Sequence, residues 1–192
     1  GGWDSWPTDV NSNNWNAAHG QGHNDSFQSL EVYGTSSTGN INFYQTHSVF
    51  NGQVHQLDVF AKNNTDNPIQ PGQSALAIVE FYGWGWFGSY LISQHTSNIL
   101  DHNSNLEEWY KLSVSATAPE EATSVNIIVT FSNPNGLGNG SVFFDDVSFK
   151  YKAHQNLSDE YTSGEYSVFV DGSKVINNEL FTYNYIDTIN TQ

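Results

Sequence analysis

Apolar and polar residues alternate along most of this chain, in short stretches that recur about every ten residues. A period of two is the spacing of a β-strand with one buried face, and no stretch of useful length follows the helical period. Turn-forming Asn, Gly, Pro and Ser separate the stretches. The pattern predicts strands over 3–10, 29–34, 41–49, 54–62, 75–82, 89–93, 108–118, 123–131 and 141–151.

Many short strands with polar turns are typical of an all-β protein, and we expect a two-sheet antiparallel β-sandwich. A polar, linker-like segment begins near residue 152, and YSVFVDGSKV after it predicts a hairpin with Asp171 and Gly172 at its turn. The tail LFTYNYIDTINTQ suits one further strand. We therefore place the main domain at 1–151 and a short C-terminal β extension at 152–192.

Composition narrows the possible partners. The formal net charge of −15, with only five Lys or Arg residues, argues against nucleic acid, anionic membranes and strongly anionic polysaccharides. Abundant carboxylates make a cation such as Ca²⁺ plausible. No apolar run is long enough for a membrane span, and there is no cysteine. Since the sequence begins without Met and shows no leader, we expect a mature secreted chain or an excised fragment, extracellular or at the cell surface.

The alternation also predicts a second strand face that mixes aromatic rings with carboxylates and amides. Such a mixture suits sugar recognition, because rings stack on the C–H faces of sugars while planar polar groups hold hydroxyl pairs. The alternative is an ordinary solvated sheet face. The candidate residues of this set are Tyr44, Asp58, Phe60, Glu80, Tyr82 and Asn126.

The stretch EFYGWGWFGSY, residues 80–90, carries further candidates in Trp84 and Trp86. These rings share the parity of Tyr82, so the strand could continue with its glycines facing the core. In a second interpretation the rings pack under a loop or against the C-terminal extension. In a third they form an exposed platform for a ligand or a contact patch for a protein.

Four segments occur in an order that resembles a known family: HGQGHNDSFQSLEVYG, YQTHSVFNGQVHQLDVFAK, EEWYKLSVSATAPEEATSVNIIVTF and GSVFFDDVSFKY. Over roughly residues 15–151 the chain is similar to the jelly-roll carbohydrate-binding modules of families 4, 9 and 22. The resemblance implies a two-sheet sandwich that is usually non-catalytic and usually attached to a secreted glycan-degrading enzyme. The family's first strand, ending in Gly-Phe-Glu, is not visible in this sequence.

The pair Asp145–Asp146 is the candidate metal site. Strand parity places Asp145 on the same side as Phe143 and Phe149, and therefore inward, where a carboxylate needs a cation or a full set of hydrogen bonds. The resemblance implies a structural Ca²⁺ at Asp145, with oxygens from the 24–26 loop, which includes Asp25, close by. Asp146 is the neighbouring candidate and should face the other way. The alternative is a hydrogen-bonded structural Asp145.

Two functions follow from these features. The first is a calcium-stabilised, non-catalytic module that binds a neutral polysaccharide or oligosaccharide. The second is a structural jelly-roll subunit of an extracellular filament, surface layer or adhesin, which assembles through its edge strands because a first strand is missing and the tail offers a spare one. Catalysis is not expected: Glu80 and Asp58 could pose as a glycosidase pair, but nothing else marks an acid/base site.

Overall fold

Strands form most of the part of the chain that the computed structural model describes, namely residues 4–6, 15–24, 26–34, 39–106, 108–136, 138–152, 169–170 and 173–174. Within these ranges there are thirteen strands, one 3₁₀ turn (Pro134–Gly136) and no α-helix. The strands are β1 (Asp4–Trp6), β2 (Trp15–His19), β3 (Gln28–Gly34), β4 (Ile41–Ser48), β5 (Val54–Asn63), β6 (Ser74–Gly85), β7 (Gly88–Thr96), β8 (Leu100–Asp101), β9 (Trp109–Thr117), β10 (Ser124–Ser132), β11 (Gly140–Lys152), β12 (Phe169–Val170) and β13 (Ser173–Lys174).

The strands pair into two large antiparallel sheets. The first sheet has the order β1-β4-β10-β6-β7, with β8 also pairing with β6, and the second has the order β2-β3-β11-β5-β9. The neighbours within the second sheet are likewise antiparallel. This architecture confirms the expected all-β sandwich of two antiparallel sheets.

The core lies between the two sheets and follows directly from the alternation in the sequence. Strand β5 contributes the fully buried Leu57 and Val59, and β6 contributes the fully buried Val79 and Phe81. In both strands each buried residue alternates with a more exposed one. Burial of a side chain of this size stabilises a fold by about 1.5–3 kcal/mol, so the apolar parity of each strand decides which face turns inward.

The order of strands answers a question that the sequence left open, namely which strands lie beside 141–151. Strand β2 was not predicted from the sequence, and it pairs with β3. Strand β11 lies between β3 and β5, so it is internal to the second sheet rather than next to an open edge. Among the described residues, β3 and β5 are thus the two strands that lie beside 141–151.

The predicted hairpin near the C-terminus is present. Strands β12 and β13 pair antiparallel, with Phe169 opposite Lys174 and Val170 opposite Ser173. Its turn residues Asp171 and Gly172 and the strand predicted in the tail lie outside the described residues, and the domain division at 151/152 stays a prediction. No helix in the described part of the chain is both long and apolar enough to cross a membrane.

Candidate functional site

A groove of about 320 Å³ crosses the outer face of the first sheet. Its floor comes from β6 and β10 and is aliphatic, with Leu76, Ile78 and Ile128, while amides, hydroxyls and one carboxylate line the rest. The lining residues are Asn40, Asn42, Leu76, Ile78, Glu80, Gln94, Thr96, Ile128, Thr130 and Ser132. An apolar floor with a few placed polar groups is the usual composition of a small-molecule site.

Glu80 is the carboxylate of this groove, and both of its oxygens are held by neighbours. The Tyr82 hydroxyl donates to Oε2 at 2.7 Å, and Gln94 Nε2 donates to Oε1 at 2.6 Å. Burial, together with the hydrogen bond and charge of Glu80, raises the pKa of Tyr82 to about 12. The phenol therefore stays protonated and keeps donating, which fixes the direction of the Glu80 carboxylate.

Two further predicted residues share this face. Asn126 of β10 lies opposite Glu80, and its side-chain oxygen accepts a hydrogen bond from Thr46 Oγ1 at 2.7 Å. Tyr44 of β4 lies opposite Ile128, which lines the groove. The structure thus brings Tyr44, Glu80, Tyr82 and Asn126 together on the outer face of the first sheet.

The aromatic stretch forms the β6–β7 hairpin at one end of this face. Strand β6 continues through Trp84 to Gly85, so the interpretation of a continued strand is correct. Trp84 is 75% exposed, and Trp86 and Phe87 at the turn are 96% and fully exposed. The interpretation in which these rings pack under a loop is wrong for the described residues. Phe87 belongs to the same aromatic stretch, although the sequence-based candidates included only Trp84 and Trp86 of its exposed rings.

The glycines of the hairpin allow a tyrosine to lie against its backbone. A Cβ atom at Gly83 would come within 2.8 Å of the Tyr90 ring, and one at Gly85 would lie 3.4 Å from it. The Tyr90 hydroxyl donates to Glu121 Oε2 at 2.9 Å. Because side chains alternate along β6, Tyr90 packs on the side of the hairpin opposite to Trp84.

Asp58 and Phe60 lie elsewhere. They belong to β5 in the second sheet and point to its outer face, so the expectation that all six candidates share one face is wrong. The alternation of side chains distinguishes the two faces of a strand, but it does not show to which sheet the strand belongs. For this reason the prediction grouped residues of both sheets into one candidate set. Glu80 and Asp58 consequently cannot flank one glycosidic bond.

On the second sheet both residues already have partners. The His23 ring stacks on Phe60 with ring centroids 3.8 Å apart. Lys111 Nζ lies 2.9 Å from Asp58 Oδ2. Burial acts to raise the pKa of Asp58, but hydrogen bonds from Ser113, Lys111 and Gln56 hold it below its ordinary value. One face of the Phe60 ring is therefore already covered by His23.

The predicted inward position of Asp145 is also wrong. The register of β11 against β5 shifts between Asp145 and Ser148, and Asp146 adopts a positive φ of 48°. This β-bulge reverses which parity faces the core: Phe144 belongs to the core before it, and Phe149 packs against the core after it. Asp145 lies opposite Phe60 on the outer face and is half-buried, and Asp146 is exposed.

The two aspartates are held by the chain segment that crosses over them. Asp145 Oδ2 accepts the backbone N–H of His23 at 2.8 Å, and Asp145 Oδ1 accepts that of Asp146 at 2.7 Å. His23 Nδ1 lies 2.7 Å from Asp146 Oδ2. Asp25, the third predicted ligand, lies outside the described residues.

These groups fit the chemistry of calcium only in part. Carboxylate oxygens are the ligands that Ca²⁺ prefers, but the ion takes about six to eight of them. Within the described residues no cluster of three or more His, Asp or Glu side chains is placed to hold a metal. The hydrogen bonds from His23 and Asp146 already stabilise the Asp145 carboxylate, so calcium stays a prediction that rests on the resemblance.

Comparison with known proteins supports the fold. No family model matches the chain, and no curated protein matches its sequence. Among solved structures, the Clostridium thermocellum xylanase 10B CBM22-1–GH10 modules complexed with xylohexaose match at 19% identity with a TM-score of 0.53, over 79% of this chain and 26% of that one. The enzymatically active domain of bacteriophage CBA120 tailspike protein 4 matches at 19% identity with a TM-score of 0.52, over 78% of this chain and 19% of that one.

A third structure is similar over most of its own length. A cyclase from Fischerella sp. TAU matches at 13% identity with a TM-score of 0.52, over 80% of this chain and 86% of that one. The chain therefore spans about a fifth of the tailspike chain and about a quarter of the xylanase chain. At these identities the likeness concerns the fold, and it confirms the sandwich that the resemblance to carbohydrate-binding modules implies.

Proposed function

We propose that this chain is a non-catalytic carbohydrate-binding domain that holds a neutral polysaccharide in the groove of the first sheet. The observation that carries the proposal is the groove itself, in which the Glu80 carboxylate is held above an aliphatic floor. Hydroxyl pairs of a sugar would meet the oxygens of Glu80 and the amides of Asn42 and Gln94, while its C–H face would meet Ile78. Tyr82 and Trp84 extend this face toward the hairpin.

The distribution of charge supports a neutral ligand rather than an anionic one. The basic side chains of the chain are five lysines, four of which are Lys62, Lys111, Lys150 and Lys152 on strands of the second sheet. The fifth, Lys174, belongs to β13. Among the described residues that line the groove there is a carboxylate and no cation, and an anionic sugar would be repelled by Glu80.

Calorimetric titration tests the proposed function. The expected result is measurable binding of at least one of xylohexaose, cellohexaose and laminarihexaose, and none of polygalacturonate, whose carboxylates would face Glu80. The xylo-oligosaccharide belongs in the set because one structure of similar fold was solved with xylohexaose. Absence of binding to every neutral sugar, in a protein whose circular dichroism shows the folded sandwich, would overturn the proposal.

The calcium prediction has its own test. A ligand at about a hundred times its dissociation constant stabilises the folded state by about 3 kcal/mol. We therefore expect a higher melting temperature in CaCl₂ than in EDTA, and we expect Asp145→Asn to remove that difference. If the two melting temperatures are equal in the unmodified chain, Asp145 is a purely hydrogen-bonded residue and the calcium prediction is wrong.

One observation favours the structural subunit as a second candidate. Strand β7 is nine residues long, pairs only with β6 among the described strands, and contains no Lys, Asp, Glu or Pro. Charges and prolines are the usual means by which an edge strand is protected from pairing with another chain. Light scattering as a function of concentration separates the candidates: polymers that disappear in Leu91→Lys favour assembly, and a monomer at all concentrations excludes it.

A further inference from the structure

We propose that the β6–β7 hairpin adds a distal stacking subsite, centred on Trp84, which makes the proposed polysaccharide site selective for long chains. The inference rests on the proposed function and concerns the end of the groove rather than its centre. Glu80, Tyr82 and Trp84 alternate along one strand and point to the same outer face. At about 3.4 Å per residue, Trp84 lies about 14 Å from Glu80 along β6. A short sugar bound at Glu80 would not reach it.

The backbone that carries this ring is held in place. Behind the strand, the Tyr90 ring lies against Gly83 and Gly85, and its hydroxyl is tied to Glu121. The amide of Thr123 donates to the carbonyl of Tyr82 at 2.8 Å, which joins the base of the hairpin to the neighbouring loop. Binding to a surface that is ordered beforehand loses less conformational entropy. The glycines thus leave room for Tyr90 to pack on one side of the hairpin. Trp84 stays exposed on the other side, which is the side of the groove.

The chemistry of the hairpin favours a sugar chain over the other partners of exposed rings. Residues 82–92 contain no charged side chain, and Leu91, opposite Tyr82, adds aliphatic surface beside Trp84. Glu120 and Glu121 are exposed, and Glu121 is held next to the hairpin by Tyr90. With a net charge of −15, the chain would be repelled from an anionic lipid surface. An uncharged polysaccharide that already occupies the groove meets no such repulsion.

A length series tests the subsite. For whichever of the xylo-, cello- or laminari-series binds, we expect the hexasaccharide to bind about tenfold more tightly than the trisaccharide, the size of effect that one aromatic contact provides. Trp84→Ala should remove this ratio and leave the trisaccharide affinity unchanged, while Trp84→Phe should keep most of it. Gly83→Ala would push a Cβ atom into the Tyr90 ring and so displace the hairpin. It should therefore also reduce the ratio of hexasaccharide to trisaccharide affinity.

Phe27→Ala is the matched control, because Phe27 is 70% exposed and precedes β3 in the second sheet. It should leave both affinities unchanged. Equal affinities for the trisaccharide and the hexasaccharide, or an equal loss of both in Trp84→Ala, would overturn the subsite while leaving the proposed function intact. If no sugar of any length binds, both are overturned. Sedimentation with phosphatidylcholine vesicles that depends on Trp84, without a length effect, would assign the hairpin to lipid and overturn the subsite.

Discussion

Lowering the pH from 7.5 to 4.5 is expected to reduce the free energy of unfolding by about 2–3 kcal/mol through one residue, His55. This histidine is 1% exposed, and neither ring nitrogen has a hydrogen-bond partner among the described residues. Its ring lies parallel to that of Phe149 at 5.4 Å and close to that of Phe81 at 5.6 Å. Burial, and then the charge of His47, lowers the pKa of His55 from 6.5 to about 4.

The direction of this pH effect follows from the pKa of His55 in the folded and in the unfolded chain. Between pH 6.5 and 4 the unfolded chain binds a proton at His55 and the folded chain does not, so acid shifts the equilibrium toward the unfolded chain. The stability is complete above pH 6.5 and is lost as the pH falls toward 4. Asp58 and Asp101, whose pKa values are also lowered, lose their stabilising effect only as the pH falls below about 3.8, so they leave this window unchanged.

Urea unfolding at several pH values measures the effect. His55→Leu should flatten the dependence between pH 7.5 and 4.5, because a leucine of similar size cannot be protonated. His47, whose pKa is also lowered by burial, should contribute a smaller slope that His47→Leu removes. His102 is exposed, and His102→Gln is the control that should change nothing. A slope that persists in His55→Leu would show that the ring is solvated and that this account of the core is wrong.

Glu80→Ala is expected to weaken binding of a neutral oligosaccharide by about tenfold to a hundredfold. Hydrogen bonds to a charged group contribute about 1.5–3 kcal/mol, and Glu80 is the one carboxylate among the described residues that line the groove. The change also releases Tyr82 and Gln94 from the positions in which Glu80 holds them. Titration calorimetry with the sugar identified for the unmodified protein gives the ratio directly.

Asp58→Ala is the matched variant on the other sheet. It removes a carboxylate that is paired with Lys111 on the outer face of the second sheet, so it should leave sugar affinity unchanged. The sequence alone could not distinguish these two carboxylates, because Asp58 and Glu80 were both candidate sugar-binding residues on the same ground. An affinity loss in Asp58→Ala as large as that in Glu80→Ala would move the site to the second sheet and contradict the proposal.

The strands and their buried faces were accessible from the sequence because burial repeats with a period of two. The alternation places Leu57 on one face with Val59, and Val79 on one face with Phe81, and the structure buries all four. Pairing between strands leaves no such local signal. Whether Asp58 lies beside Glu80 or on the opposite side of the molecule depends on the order of strands, which contacts between residues distant in sequence determine.

The candidate site was likewise predictable only where the local alternation carried the information. Glu80, Tyr82 and Asn126 were candidates because their parity and chemistry agree, and the structure places them together. Gln94 was missed because β7 is mostly exposed and has no clear apolar face. Asp145 was misplaced because a bulge interrupts the alternation of β11, and a bulge with a non-glycine residue at positive φ has no strong sequence signal.

That bulge has a consequence for how the chain tolerates insertions and deletions. Strand β11 is thirteen residues long, and its two halves present opposite parities to the core only because two residues intervene without regular pairing. Deleting one residue at 146–147 would remove the bulge and leave a regular strand, in which Asp145 still lies opposite Phe60 and Phe149 still faces the core. Deleting a regularly paired residue would instead act like a one-residue slip of the strand. A deletion in the turn at 86–87 would also leave the core unchanged, because it would only shorten an exposed hairpin. Natural variation in length should therefore occur at the hairpin and at the bulge, and be absent from the regularly paired parts of β11.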